Sequence, residues 1–140
     1  IAYTDGSCTN AGYEEAKAGA GIWYGKDDAR NKAIRVPSSL PQTNNSAEAA
    51  AVLIALQAAR SRDTLIIRTD SKFVIDSVNR NRKKIEDSDW LEQSNRSLIE
   101  PIIARIRHRK GRTAFEKVKG HSGDEGNDGA DALAAIGAEK

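Results

Sequence analysis

IAYTDGSC, residues 1–8, is short, apolar and β-prone, yet it carries an aspartate, Asp5, in its interior. By the period of two, Asp5 shares a strand face with Ile1 and Tyr3. Strand interiors are poor in aspartate, and a carboxylate in a core strand is costly unless it is paired or metal-bound. The segment therefore sets two expectations: a strand within a sheet, and a chemical reason for the acid it carries. AGAGIWYG at 18–25 and KAIRVP at 32–37 continue in the same style. Turn-rich NAGYEEAK and KDDARN separate them, so the first three strands read as an antiparallel meander.

Further along, Pro37 and Pro41 bracket the loop SSLPQT. From Asn44 to Arg60 the pattern is helical, with Val52, Leu53 and Leu56 on one side among alanines. Asn45-Ser46-Ala47-Glu48 scans as a capping box, which puts Glu48 in the first turn. DTLIIRT at 63–69 reads as a buried strand. SKFVIDSV reads as a short helix with Ser71 as its cap. The charged stretch 80–93 reads as an exposed protrusion, and a helix is expected from about Ser97 with Pro101 in its first turn. TAFEKVKG is the fifth strand and 124–137 the last helix. The result is an α/β fold, a five-stranded mixed sheet flanked by helices, in one domain.

With 140 residues, 39% hydrophobic and 30% charged, the chain fits one soluble domain. The N-terminus lacks a basic region followed by an apolar one, so no signal peptide is visible. One cysteine, Cys8, excludes an internal disulfide and fits a reducing compartment. The expected location is intracellular, cytoplasm or nucleus, and not secreted. The absence of an initial methionine and the immediate start on a strand suggest a domain trimmed from a longer chain. Net charge is only +2, but RNRKK at 80–84, RIRHRKGR at 105–112 and RSR at 60–62 are basic clusters. Such clusters are the expected footprint of a phosphate backbone, although a solvated face gives the same pattern.

Four acids stand in four different settings. Asp5 lies within the first strand, and Asp70 follows the buried LIIRT strand, where ligands gather in open α/β sheets. Glu48 is on the alanine-rich helix. Asp131 is on the last helix, four residues after Asn127 and so on its face. Taken singly, Glu48 and Asp131 fit a helix cap and a solvated acid. Converging carboxylates repel one another unless a divalent cation neutralises them, and magnesium prefers oxygen ligands. Two such ions would clamp a phosphoryl transfer with no cysteine or histidine ligand. GHSGDEGNDGAD at 120–131 then reads as a mobile histidine loop feeding a glycine-weakened helix, its cost offset by metal binding.

YTDGSC at 3–8, TNNSAE at 43–48, TDS at 69–71 and KGHSGDEGNDGAD at 119–131 together resemble ribonuclease H of type 1. The motifs keep the family's order and cover essentially the whole chain. The resemblance implies a ribonuclease H-like fold and endonucleolytic cleavage of the RNA strand of an RNA/DNA hybrid, leaving 3′-hydroxyl and 5′-phosphate ends. It implies Asp5, Glu48, Asp70 and Asp131 as catalytic metal ligands for two Mg2+ ions, with Mn2+ as a substitute. By that likeness Asp5 bridges the ions, Asp131 serves the water-activating one, and Glu48 and Asp70 the one beside the leaving 3′-oxygen. His121 matches a mobile-loop histidine that shuttles a proton or aids product release. Cys8, Asn10, Asn44, Asn45 and Asn127 match positions at the substrate, Thr43 a DNA-phosphate contact, and Asn95 its partner.

The sequence departs from that pattern at Pro41, where some cellular members place an arginine. It also has Asn81 and Ile85 where they carry tryptophans, leaving Trp90 alone, with acidic EDSD at 86–89. A weaker grip on the DNA strand is expected, testable as the effect of Lys83→Ala and Lys84→Ala on affinity and salt slope. The expected partner is an RNA/DNA hybrid, with no membrane, a monomeric state and covalently attached domains in the parent chain. Competing readings are a non-catalytic nucleic-acid-binding domain of the same fold, or the ribonuclease domain of a retroelement reverse transcriptase.

Overall fold

In a computed structural model, the structure describes residues 1–10, 14–80, 96–118 and 124–140. Five strands form one sheet: β1 (Ala2–Thr9), β2 (Lys17–Trp23), β3 (Lys32–Arg35), β4 (Leu65–Thr69) and β5 (Thr113–Lys117). Their order is β3-β2-β1-β4-β5. The pairs β1–β2 and β2–β3 are antiparallel, while β1–β4 and β4–β5 are parallel. The mixed sheet with an antiparallel meander at its start is as the sequence indicates. Among the described residues four α-helices accompany it: α1 (Asn44–Ala58), α2 (Lys72–Ile75), α3 (Arg96–His108) and α4 (Glu125–Ala138).

The two faces of the sheet follow from alternation along β2, whose core reads AGAGI. Ala18, Ala20 and Ile22 are fully buried and belong to one hydrophobic cluster with α1 residues Ala47, Ala51, Val52 and Leu56. Beyond α1, the cluster continues into Leu98, Ile99, Ile102 and Ile103 of α3. On the other face, Gly19 and Gly21 leave room for α4. A Cβ on Gly21 would collide with the backbone of Ala130 and Ala134. The side chain missing from β2 is what lets α4 lie at backbone contact.

That contact revises the reading of the glycines in α4. A Cβ on Gly126 would strike the Tyr3 ring, and one on Gly129 would meet Trp23 Cδ1 at 2.5 Å. Their helix-propensity cost of about 1 kcal/mol each is offset by close packing on the sheet. Tyr3 and Trp23 are cross-strand partners and meet edge to face, with ring centroids 5.7 Å apart.

Several local expectations also change. The cap of α1 is Thr43, whose hydroxyl accepts the Ser46 N–H at 3.1 Å. Asn45 is therefore the second helical residue, and Glu48, the fifth, lies beyond the first turn. Thr43 wins because its extended backbone and short hydroxyl fit the cap position. The helix ends at Ala58 rather than Arg60. Ser71 does cap α2, accepting from Val74 N–H, but α2 gives way to a π-helical turn over Asp76–Arg80. Pro101 stands sixth in α3, not in its first turn. Burial of the α3 apolar face against α1 outweighs the lost backbone donor, a local penalty of about 3 kcal/mol. Most of the 80–93 protrusion, including Asn81, Lys83, Lys84, Ile85 and Trp90, lies outside the described residues.

Candidate active site

The parallel ladder between β1 and β4 pairs Ala2 with Ile67, Tyr3 with Arg68 and Thr4 with Thr69. It stops there, one residue before Asp5 and Asp70. β1 is also the strand at which the sheet changes from antiparallel to parallel neighbours. A crevice at such a switch point is where open α/β sheets receive ligands. Asp5, 4% exposed, stands opposite Gly21 on β2, whose missing Cβ points at α4. Gly6 turns to the other face, where a Cβ would lie 2.5 Å from the Glu48 nitrogen. The opening thus receives α4 from one side and α1 from the other.

Carboxylate oxygens of Asp5, Glu48 and Asp70 all lie within 4.8 Å of one another. Burial, and then the neighbouring Asp70 charge, push the Asp5 carboxyl up to about 7, although the Gly6 N–H donates to its Oδ1 at 2.9 Å. A hydrogen bond from protonated Asp5 to the Asp131 carboxylate, and the Asp131 charge, add to the upward shift, so this exposed α4 acid sits beside Asp5. Burial, with the charges of Asp5 and Asp70, pushes Glu48 up to about 9. Its Oε2 is buried and has no hydrogen-bond partner among the described residues, nor has Oδ1 of Asn127.

This donor set suits a hard divalent cation. It offers only oxygens, it is starved of compensating positive charge, and it holds a buried acceptor with nothing to accept from. Asp5, Glu48 and Asp70 form the inner cluster, with Asp131 placed at its Asp5 side.

The residues named for substrate contact fall into two groups. Thr43, Asn44 and Asn45 are exposed at the start of α1. Half-buried Cys8 joins them, its Sγ donating to the Gln42 carbonyl at 3.2 Å. Asn10 is exposed two residues further on, in the left-handed region at φ 53°. Asn127 stands apart on α4, buried, with its N–H capped by Asp124. His121 and Asn95 lie outside the described residues.

One residue that the sequence reading passed over organises the first group. Gln42 accepts the Ala18 N–H at 2.8 Å through Oε1, and its Nε2 donates to the carbonyls of Val36, Pro37 and Leu40. It ties the proline loop to β2 and so sets where Thr43 begins α1. The available signal was a lone amide between a proline and a capping threonine, which is too common to stand out. A second overlooked feature is a row across four strands, Trp23–Tyr3–Arg68–Glu116. Arg68 donates to the Tyr3 hydroxyl and to Glu116, each at 2.8 Å.

Fold and site together define an α/β domain with clustered carboxylates at the switch point of its sheet. The RNase H family model matches residues 1–139, and the chain belongs to the ribonuclease H family. It is 37% identical over 146 residues to the ribonuclease H of Schizosaccharomyces pombe, covering 100% of this chain and 53% of that protein. It is 32% identical over 145 residues to human ribonuclease H1, covering 100% of this chain and 50% of the relative. The chain thus spans about half the length of these relatives. Among solved structures, LC9-RNase H1, a type 1 RNase H with the type 2 active-site motif, matches with a TM-score of 0.76. At 23% identity, over 99% of this chain and 71% of that one, the match speaks for the fold alone.

Proposed function

We propose that this domain hydrolyses the RNA strand of RNA/DNA hybrids, leaving 3′-hydroxyl and 5′-phosphate ends, with two Mg2+ ions held at the carboxylate cluster. The observation that carries the reading is the convergence of Asp5, Glu48 and Asp70 within 4.8 Å, in a chain of the ribonuclease H family. When bound, the cations activate water and stabilise the leaving oxygen.

The chain's own residues supply the rest. Asp5 neighbours Glu48 and Asp70 and also Asp131, which would suit a ligand shared by the two cations. Glu48 and Asp70 then serve the leaving-group side and Asp131 the side of the attacking water. Recognition falls to the exposed start of α1. Asn44 and Asn45 carry amides that read 2′-hydroxyls and base edges across a shallow minor groove, with Cys8 and Asn10 beside them. Thr43 presents a hydroxyl suited to a DNA phosphate while it caps α1.

The test is cleavage of an end-labelled RNA/DNA hybrid in magnesium, beside single-stranded RNA, duplex RNA and duplex DNA. Cutting confined to the RNA of the hybrid, and lost with Asp70→Asn, is the expected result. Binding of hybrid without any cutting would sink the proposal in favour of a non-catalytic module.

A further inference from the structure

The basic clusters RSR and RIRHRKGR are separated in sequence by 42 residues, 63–104, yet they form one surface. Arg109 stitches them together: its guanidinium donates to the carbonyls of Arg60, Asp63 and Arg112 and to the Thr113 hydroxyl. Gly111 N–H donates to the Ser61 carbonyl at 2.6 Å, and Lys110 N–H to its hydroxyl at 3.3 Å. With Arg109 used as the staple, Arg62, Arg105, His108, Lys110 and Arg112 stand exposed around it. Ser61, Arg105 and His108 also line a cleft of about 380 Å³ between the ends of α1 and α3.

Charge counting separates this surface from an ordinary solvated face. Segments 60–63 and 105–112 hold seven arginines and lysines and one acid, Asp63, an excess of six positive charges. The whole chain carries +2, so everything else carries a net −4. Cations near a helix C-terminus complement the macrodipole, which amounts to about half a charge per helix. The two helix ends here, of α1 and α3, absorb about one charge between them. Asp63 pairs with Arg60 at 3.1 Å, a pair already counted in the excess. Arg107 is already engaged with a group of the protein, so about four positive charges remain to meet an outside anion.

We infer that this surface is a second contact for the phosphate backbone of nucleic acid, separate from the carboxylate cluster. It lies at the C-terminal end of α1, ten residues and so about 15 Å along the helix axis from Glu48. Arginine-rich, closely spaced and slightly recessed, it offers several cations to the regular charges of a polynucleotide. The inference concerns binding and stands whether or not the domain cleaves what it holds.

The experiment compares the chain with an Arg105→Gln, Lys110→Gln, Arg112→Gln triple variant, first checked for an unchanged melting temperature. Binding of a fluorescent 36-base-pair hybrid is followed by anisotropy in EDTA across a range of NaCl concentrations. Loss of three phosphate contacts should flatten the slope of log K against log salt by about 3, and weaken binding at least about tenfold at low salt. The kcat on a 12-base-pair hybrid in magnesium should be unchanged. The number of 12-base-pair duplexes bound per chain at saturation distinguishes the far arm of one duplex from a second nucleic acid; either satisfies the inference. Unchanged affinity and slope would overturn it. So would a fall in kcat matching the fall in affinity. Wild-type binding without cleavage would remove the proposed ribonuclease activity and leave this surface intact.

Discussion

Asp5 and Asp70 stand one residue beyond Thr4 and Thr69, the last paired residues of the parallel β1–β4 ladder. Had the strands continued, the two carboxylates would occupy the next step of the ladder, like charges side by side. Instead pairing ends, and Glu48 from α1 completes the cluster. The site is a place where the sheet stops paying for itself in hydrogen bonds and offers oxygens to a cation instead.

Asp70→Asn, which keeps shape and removes charge, should lower hybrid cleavage by at least about a hundredfold, the scale of losing a group that acts in the transition state. Single-turnover assays in magnesium would read this. Hybrid affinity in EDTA should be preserved or increased, since a negative charge beside the phosphates has gone. A variant cleaving at near wild-type rate would remove Asp70 from the chemistry.

Stability without metal should depend on pH in a definite direction. Asp5 and Glu48 are raised from their ordinary values of 3.8 and 4.5 to about 7 and about 9. The folded state then holds protons that the unfolded chain has already released. Their contribution is full below about pH 4 and is lost as pH climbs through the folded values. Glu48→Gln should therefore be more stable than wild type in EDTA at pH 8, by up to about 5 kcal/mol given 1.36 kcal/mol per pKa unit. The difference should vanish near pH 4. Denaturant melts at the two pH values decide it, and a variant less stable at pH 8 would contradict the sign.

Magnesium should reverse that penalty. Binding only to the folded state raises the melting temperature with ligand concentration, by about 2.7 kcal/mol at a hundred times the dissociation constant. The gain should be largest at high pH and small in Glu48→Gln. Equal gains in both proteins would show that the cation binds elsewhere.

Gly21→Ala should destabilise the fold by about 1–3 kcal/mol, the usual cost of overpacking. Its new methyl meets the α4 backbone at Ala130 and Ala134, which has no rotamer to move. Because Asp131 follows Ala130, cleavage should drop even where the protein remains folded. Thermal melts and kcat measured together would reveal a helix that shifts without unfolding.

Gln42→Ala would leave the Ala18 N–H without its side-chain acceptor and remove three donations to loop carbonyls. Leaving such groups unsatisfied costs about 1–3 kcal/mol. The expected signature is a raised KM for hybrid with kcat little changed, because the start of α1, proposed to contact substrate, moves while the carboxylates stay. An effect on kcat alone would refute this positioning role.

Much of this was legible from local pattern. Apolar runs placed all five strands, and an acid in the interior of IAYTDGSC signalled the site before any geometry was known. What escaped reading depended on non-local contact. AGAG in β2 looks like a weak strand until a helix lies on it, and Gly126 and Gly129 look destabilising until Tyr3 and Trp23 fill the space above them. The cap of α1 was misplaced by two residues because Thr43, Asn44, Asn45 and Ser46 are all competent caps, and only tertiary anchoring through Gln42 selects among them. Cys8, Thr43, Asn44 and Asn45 were singled out by motif, whereas the amide that holds their loop has no motif of its own.

The alternation of alanine and glycine along β2 has one more consequence. Where side chains interdigitate, a helix can settle into neighbouring registers by exchanging rotamers. Where peptide meets peptide, no rotamer can absorb a shift, so the helix moves as a body or not at all. Asp131 and Asn127 ride on a helix seated in this manner, so their distance from Asp5 is set by the main chain. Drift through the core by ordinary hydrophobic exchange would leave that spacing unchanged.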